Sequence, residues 1–246
     1  MTWQDIELSK EDFSTSGWDV VVSQISKEGF IGFCRVFGQK VIEARNSNNT
    51  KMEAIYTILT ILTGFELDSS STTKPFSYTG YLELINDQHL GALRAWAPEV
   101  SDLRLQARIA DALWFRKRLP KQDYILAQLA VDSHLKIAQT REDSINWEYS
   151  FKHIERAYWL AKSLAYREAD IIKYIEEILD KSNEEEKSFL PAKLMELLQD
   201  GKKGDATKLV TLAENIAKKS ESEHDWHRAR SYWEVTTRWY QIMNDS

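Results

Sequence analysis

The chain has 246 residues, enough for one large domain or two small ones, and its 43% of hydrophobic residues can build a core without metals or disulfides. A formal net charge of −6 argues against bulk electrostatic attraction to nucleic acid, though not against a local basic patch. Nine glycines and four prolines are few for this length. Helix interiors reject both residues and sheet turns recruit them, so the shortage points to an all-α chain.

The start, Met1-Thr2-Trp3-Gln4-Asp5, has no basic region leading into an apolar run and does not read as a signal peptide. Residues 1–66 read as an N-terminal helical unit. Ser9 to Asp12 has capping-box spacing. Apolar residues then recur through Trp18, Val22, Ile25, Phe30, Phe33 and Phe37, and again through Ile55, Ile58 and Leu62, with Gly29 and Gly32 predicting a bend. The lone cysteine, Cys34, allows no internal disulfide and suits a reducing, cytoplasmic setting; between Phe33 and Phe37 it reads as a core or interface thiol. The longest oily stretch, Ala54 to Phe65, holds three threonines and is too short to cross a bilayer, so no membrane partner is expected.

Residues 67–80 are rich in Ser and Thr and contain Pro75, which predicts a connector. The body, 81–246, reads as helix after helix. Leu103, Ala107, Ala110 and Trp114 mark one helical face, widened by Ile109 and Leu113 and ended by Pro120. Tyr124, Ala127, Val131, His134 and Ala138 mark the next helix. Trp147, Phe151, Ile154, Ala157, Ala161 and Leu164 mark another, then Ile171, Ile175 and Ile178. Lys181–Ser188 is a charged turn. Gly201–Gly204 is a second turn, with Asp205 as the N-cap of the helix after it. The last stripe is Trp226, Ala229, Trp233, Thr236, Tyr240 and Met243.

Three helices share a pattern of a large residue, Ala three on, an apolar residue four on and a fourth residue three on: Tyr124-Ala127-Val131-His134, Ile154-Ala157-Ala161-Leu164 and Trp226-Ala229-Trp233-Thr236. Small alanines let helices approach, which is the packing logic of a helical-hairpin repeat. The full tetratricopeptide signature is not met. Aligned on Ala127, Phe115 stands where that repeat wants Gly, and Gln139 where it wants Pro. The fold expected is all-α: stacked antiparallel hairpins, a degenerate tetratricopeptide-like α-solenoid with an N-terminal helical unit. An irregular helical bundle is the alternative.

The segments Ala107-Arg108-Ile109-Ala110-Asp111-Ala112-Leu113-Trp114 and Asp123-Tyr124-Ile125-Leu126-Ala127-Gln128-Leu129-Ala130 resemble a family of bacterial proteins of unknown function. Those proteins carry a helical, tetratricopeptide-like N-terminal region ahead of a C-terminal domain related to the HEPN ribonucleases. The match is sharpest over 105–135, and Asp225 to Arg230 fits more loosely. The resemblance implies that this chain corresponds to the N-terminal helical part, and it suggests defence against phage or foreign DNA as context. A HEPN site needs Arg followed four to six residues later by His, and none of the five histidines has one. The family's catalytic residues therefore do not carry over.

No motif supplies chemistry outright. Gly29-Phe30-Ile31-Gly32 and Gly201-Lys202-Lys203-Gly204 lack the spacing of a phosphate loop. No nucleophile motif or assembled triad is recognisable. His224 and His227, with Glu221, Glu223 and Asp225 nearby, have the residue types of a metal site, but a solvated acidic helix start explains them as well, and neither a metal nor a cofactor is expected. Arg104, Arg108, Arg116, Lys117, Arg118 and Lys121 form a basic cluster, and residues 101–140 carry seven basic and four acidic side chains. The cluster is a candidate contact for a partner or for phosphate, weighed against a solvated helix end. The function expected is a non-catalytic scaffold binding a protein partner. The alternatives are an enzyme such as a nuclease, with a site assembled from dispersed carboxylates and His (first at His153, Glu155 and Arg156), and a nucleic-acid adaptor using the hairpin 104–121.

Overall fold

The computed structural model describes residues 38–68, 85–114, 124–140, 147–182, 189–201 and 204–244, with only the backbone described for 63–68, 147 and 201. All regular structure among these residues is helical. Residues 38–46 belong to helix α1. It is followed by α2 (Thr50–Asp68), α3 (Asp87–Trp96), a short 3₁₀ turn (Ala97–Glu99), α4 (Leu103–Trp114), α5 (Tyr124–Thr140), α6 (Trp147–Leu164), α7 (Glu168–Lys181), α8 (Leu190–Gly201), α9 (Ala206–Ser222) and α10 (Trp226–Asn244). The expected cap at Ser9, the stripe from Trp18 to Phe37, the bend at Gly29 and Gly32, Cys34, residues 69–80 of the connector, Pro120, residues 183–188 of the charged turn, and Lys202 and Lys203 lie outside the described residues.

Short polar side chains start the helices by accepting from backbone N–H groups that have no partner within the first turn. Asn49 accepts from Met52 N at 3.1 Å, Asn86 from His89 N at 2.8 Å and Asp102 from Leu105 N at 2.7 Å. Asp205 accepts from Lys208 N at 3.1 Å, the cap expected from sequence, and Asp225 from Arg228 N at 3.1 Å.

Three helix ends close by one motif. Asn49 N donates to Ala44 O, Tyr166 N to Ala161 O and Asp225 N to Ser220 O, and the residue before each donor has positive φ: Asn48 (55°), Ala165 (50°) and His224 (63°). This is the Schellman closure, which usually recruits Gly at the left-handed position. Here the chain stops helices without it.

Contacts divide the chain into two compact units between Ser133 and His134, inside α5. In the first unit, Ile58 and Leu59 of α2, Leu93 of α3 and Ile109 and Leu113 of α4 share one core, each at 0% exposure. Such burial contributes about 1.5–3 kcal/mol per side chain. Buried Gln106 ties the turn before α4 to α5: its Nε2 donates to Ala97 O at 3.2 Å and Val100 O at 2.9 Å, and its Oε1 accepts from Ser133 Oγ at 2.7 Å.

In the second unit, Ile154 and Ala157 of α6, Ile171 and Ile175 of α7, Leu194 and Leu198 of α8, and Ala213 and Ile216 of α9 are fully buried. The α9–α10 pair is antiparallel. Trp233 Nε1 meets Glu221 at 2.9 Å and, seven residues later, Tyr240 Oη meets Glu214, seven residues earlier, at 2.8 Å. Gln199 Nε2 of α8 donates to Val235 O at 2.6 Å, fixing α8 against α10.

The stripe expected on α10 is displaced. The buried face is Arg228, Ala229, Tyr232, Val235, Thr236 and Trp239, while Trp226, Tyr240 and Met243 are exposed. α10 is aromatic on more than one face, so periodicity alone gave a stripe one residue out of phase, a turn of about 100°. Of the shared three-helix pattern, the alanines at 127, 157, 161 and 229 are buried as expected, but the leading Tyr124 and Trp226 face outward.

Candidate functional site

The second unit carries a cavity of about 470 Å³ lined by Glu176, Leu179, Asp180 and Ser182 from α7 and its end, and by Asp205, Lys208, Leu209 and Leu212 from α9 and its cap. Its position follows from local rules. Leu179 and Leu209 face inward on their helices, so the polar residues next to them form a rim. Gly204 makes the turn into α9 at φ +91°, where a Cβ would come within 3.1 Å of Leu209 Cδ1 and 3.4 Å of Leu198 Cδ1. The lining is two-toned, joining three leucines to three carboxylates, one ammonium and the Ser182 hydroxyl. The Lys208 ammonium is hydrogen-bonded and ion-paired to Asp180. That bond above all, helped by the charges of Asp180, Glu176 and Asp205, holds its pKa above the ordinary lysine value against the opposing effect of burial. Because Lys208 answers one carboxylate directly, the rim keeps an excess of negative charge.

A second cluster joins α5 to α6 within the same unit. His134 Nδ1 and His153 Nδ1 lie 2.7 Å apart, with ring centroids 4.9 Å apart and planes 40° from parallel. The Tyr149 ring stands edge-on to His153 with centroids 4.5 Å apart. His134 is buried, at 7% exposure, and His153 half-buried. The sequence offered a signal for this pair. His134 stands six residues before the end of α5 and His153 six after the start of α6, so a hairpin brings them level. Of the neighbours expected to act with His153, Arg156 is three residues on and shares its side of the helix. Glu155 is two on and lies about 200° round.

In the first unit, the Glu53 carboxylate of α2 accepts from Arg45 Nε at 2.8 Å and faces His89 Nε2 of α3 at 3.5 Å. Burial pushes its carboxyl up, but the Arg45 hydrogen bond and the charges of His89 and Arg45 outweigh that and hold it below the ordinary carboxylate value. His89 is 4% exposed, and its Nδ1 meets no hydrogen-bond partner among the described residues. The group is a carboxylate–imidazole pair with a buried ring and a half-buried carboxylate, and it can fix α2 against α3 and set the ring orientation of His89.

The basic cluster is described only at its first two members, both on α4. Arg104 Nη2 lies 3.3 Å from Asp102 Oδ2, and Arg108 Nη2 donates to Leu62 O of α2 at 3.3 Å. Both guanidiniums are engaged inside the unit. Arg116, Lys117, Arg118 and Lys121 lie outside the described residues. His224 and His227 are exposed, and their rings meet Trp226 at 6.1 Å and Phe189 at 5.4 Å respectively. No group of three or more metal-ligating side chains occurs among the described residues, and no helix there is long and apolar enough to cross a membrane.

Residues 4–172 match a family model described as Domain of unknown function (DUF7380). No curated protein and no solved structure matches the chain.

Proposed function

The chain belongs to the DUF7380 family, and we propose that it works as a non-catalytic helical scaffold that holds a protein partner in the cleft between α7 and α9. The observation that carries this reading is the two-toned lining. Leu179, Leu209 and Leu212 offer an apolar base, and Glu176, Asp180 and Asp205 surround it with more negative charge than Lys208 neutralises. Pockets that bind extended segments combine an apolar floor with a few placed polar groups. Charge complementarity here selects a partner segment bearing Lys or Arg beside an apolar residue. The degenerate hairpin pattern supports the same reading, because stacked helix pairs work through such surfaces. The resemblance to helical regions of HEPN-carrying proteins suggests bacterial defence, in the cytoplasm, as the setting.

The test is affinity capture from the native host with the tagged chain, with and without nuclease treatment, alongside the variant Glu176→Lys/Asp205→Lys. Glu176 is half-buried and Asp205 exposed, and because Asp205 caps α9, Glu176→Gln/Asp205→Asn serves beside the charge reversal as the variant that removes both charges and keeps the cap. The expected result is a stoichiometric protein that survives nuclease and is lost with the charge-reversed cleft. A protein retained equally by all three chains would refute the cleft. Recovery of nucleic acid alone would move the function to the hairpin 104–121, and conversion of a captured small molecule would move it to an enzyme.

A further inference from the structure

We propose that His134 and His153 form a binding site for a late first-row divalent cation of the Cu²⁺ or Zn²⁺ class. The two Nδ1 atoms converge to 2.7 Å from different helices. Such a contact uses one hydrogen and one lone pair, so one Nδ1 must carry a proton. With that proton moved to Nε2 of the same ring by tautomer exchange, both Nδ1 lone pairs face the space between the rings, which is the start of a chelate. Two nitrogens bound to one tetrahedral Zn²⁺ at about 2.0–2.1 Å stand about 3.4 Å apart. The imidazoles therefore need to part by roughly 0.7 Å, which rotation about the broad terminal torsion of His can supply.

The surroundings favour a defined site over a chance encounter. Both residues sit inside helices, the more rigid support for a ligand set. The Tyr149 ring packs edge-on to His153 and limits its swing. Burial of His134 closes one side, and half-exposed His153 leaves a path from solvent. Two imidazoles without a hard oxygen cage suit Cu²⁺, Ni²⁺ or Zn²⁺ rather than Mg²⁺ or Ca²⁺, and the usual affinity order places Cu²⁺ first. Water completes the coordination, so the site is open. Protons compete with the cation for the two imidazoles, so binding strengthens as pH rises through the imidazole range.

Cu²⁺ alone is the probe, titrated into the full chain carrying His224→Ala and His227→Ala, which removes the exposed imidazoles near α10. Calorimetry is expected to show one ion per chain. Electron paramagnetic resonance of that same protein is expected to show hyperfine splitting from two imidazole nitrogens. His153→Ala and His134→Ala, each added separately, are expected to weaken binding at least tenfold and to remove the two-nitrogen pattern. The spectroscopic result needs no change at the pair itself, so it stands even where a variant fails to fold. A parent protein that binds Cu²⁺ no better than the His134→Ala/His153→Ala double variant, or that shows no two-nitrogen pattern, would overturn the proposal.

Discussion

Gln106 offers the most direct test of how the first unit is held together. Replacing it with Leu shortens the side chain by one atom and removes its polar atoms. The carbonyls of Ala97 and Val100 then lose a donor, at residues 0% and 1% exposed, while Ser133 Oγ keeps its 2.7 Å contact with Leu129 O. Val100 O is left stranded at about 1–3 kcal/mol, Ala97 O keeps its 3.3 Å bond from Val100 N and loses one bond at about 1 kcal/mol, and the apolar replacement returns about 1 kcal/mol, so the net loss is about 2 kcal/mol. At about 2–4 °C per kcal/mol for a chain of this size, the melting temperature should fall by about 4–8 °C. The measurement is thermal and urea unfolding followed by circular dichroism. Hydrogen exchange at the amides of α3 and α4 would localise the loss to the first unit. Ser133→Ala alone should cost about 1 kcal/mol, and the double variant should fall short of the sum, because both changes break one shared contact. A loss below about 1 kcal/mol for Gln106→Leu with an unchanged urea slope would refute the view that Gln106 sustains this turn.

Three further outcomes follow from local geometry. Glu53 has a folded pKa below its ordinary 4.5, so its contribution is present above that value and is lost as pH falls through the folded pKa; Glu53→Gln should therefore be less stable than the parent at pH 7 and converge with it on acidification below about pH 4.5, read by melting temperature against pH. Ala165→Gly and His224→Gly relieve left-handed backbone at two helix ends, and each should raise stability by about 0.5–1 kcal/mol in urea unfolding, net of the glycine's added unfolded-state entropy. The Tyr158 hydroxyl is buried without a hydrogen-bond partner among the described residues, and burial, with Glu168 and Asp200 nearby, pushes its pKa up; Tyr158→Phe should thus cost under about 0.5 kcal/mol or stabilise, and a loss above about 1 kcal/mol would mean the hydroxyl is satisfied in solution.

The helical fold was legible because its signals are local. Asp205 announced a cap by its type and position, and the 103–114 and 171–178 stripes announced buried faces by their period. α10 misled because Trp, Tyr and Met occur on several of its faces, and which face packs is decided by α8 and α9, not by α10 itself. The scarcity of Gly pointed to helices correctly, yet it hid where they stop, because Asn48, Ala165 and His224 take the left-handed position that Gly would have marked. The candidate sites were harder. Glu176, Asp180, Asp205 and Lys208 are ordinary surface types whose meaning lies in the approach of two helices. His134 was visible only as a member of a stripe and His153 only as a first place to look for an enzyme site, and pairing them required counting back from both ends of a hairpin loop.

The position of the division between the units has a consequence for dissecting the chain. It cuts α5 into ten residues on one side and seven on the other. Neither piece reaches the roughly 12–15 residues that an isolated helix needs to hold its own turns in water. Separating the halves at that point would therefore leave each with a frayed terminus where it now has a continuous ladder of backbone hydrogen bonds. The Gln106–Ser133 clasp stands at the last residue of the first half, and the imidazole pair begins at the first residue of the second. Local opening at the middle of α5 would therefore disturb these two adjacent polar contacts together, whereas fraying at its ends would leave them in place.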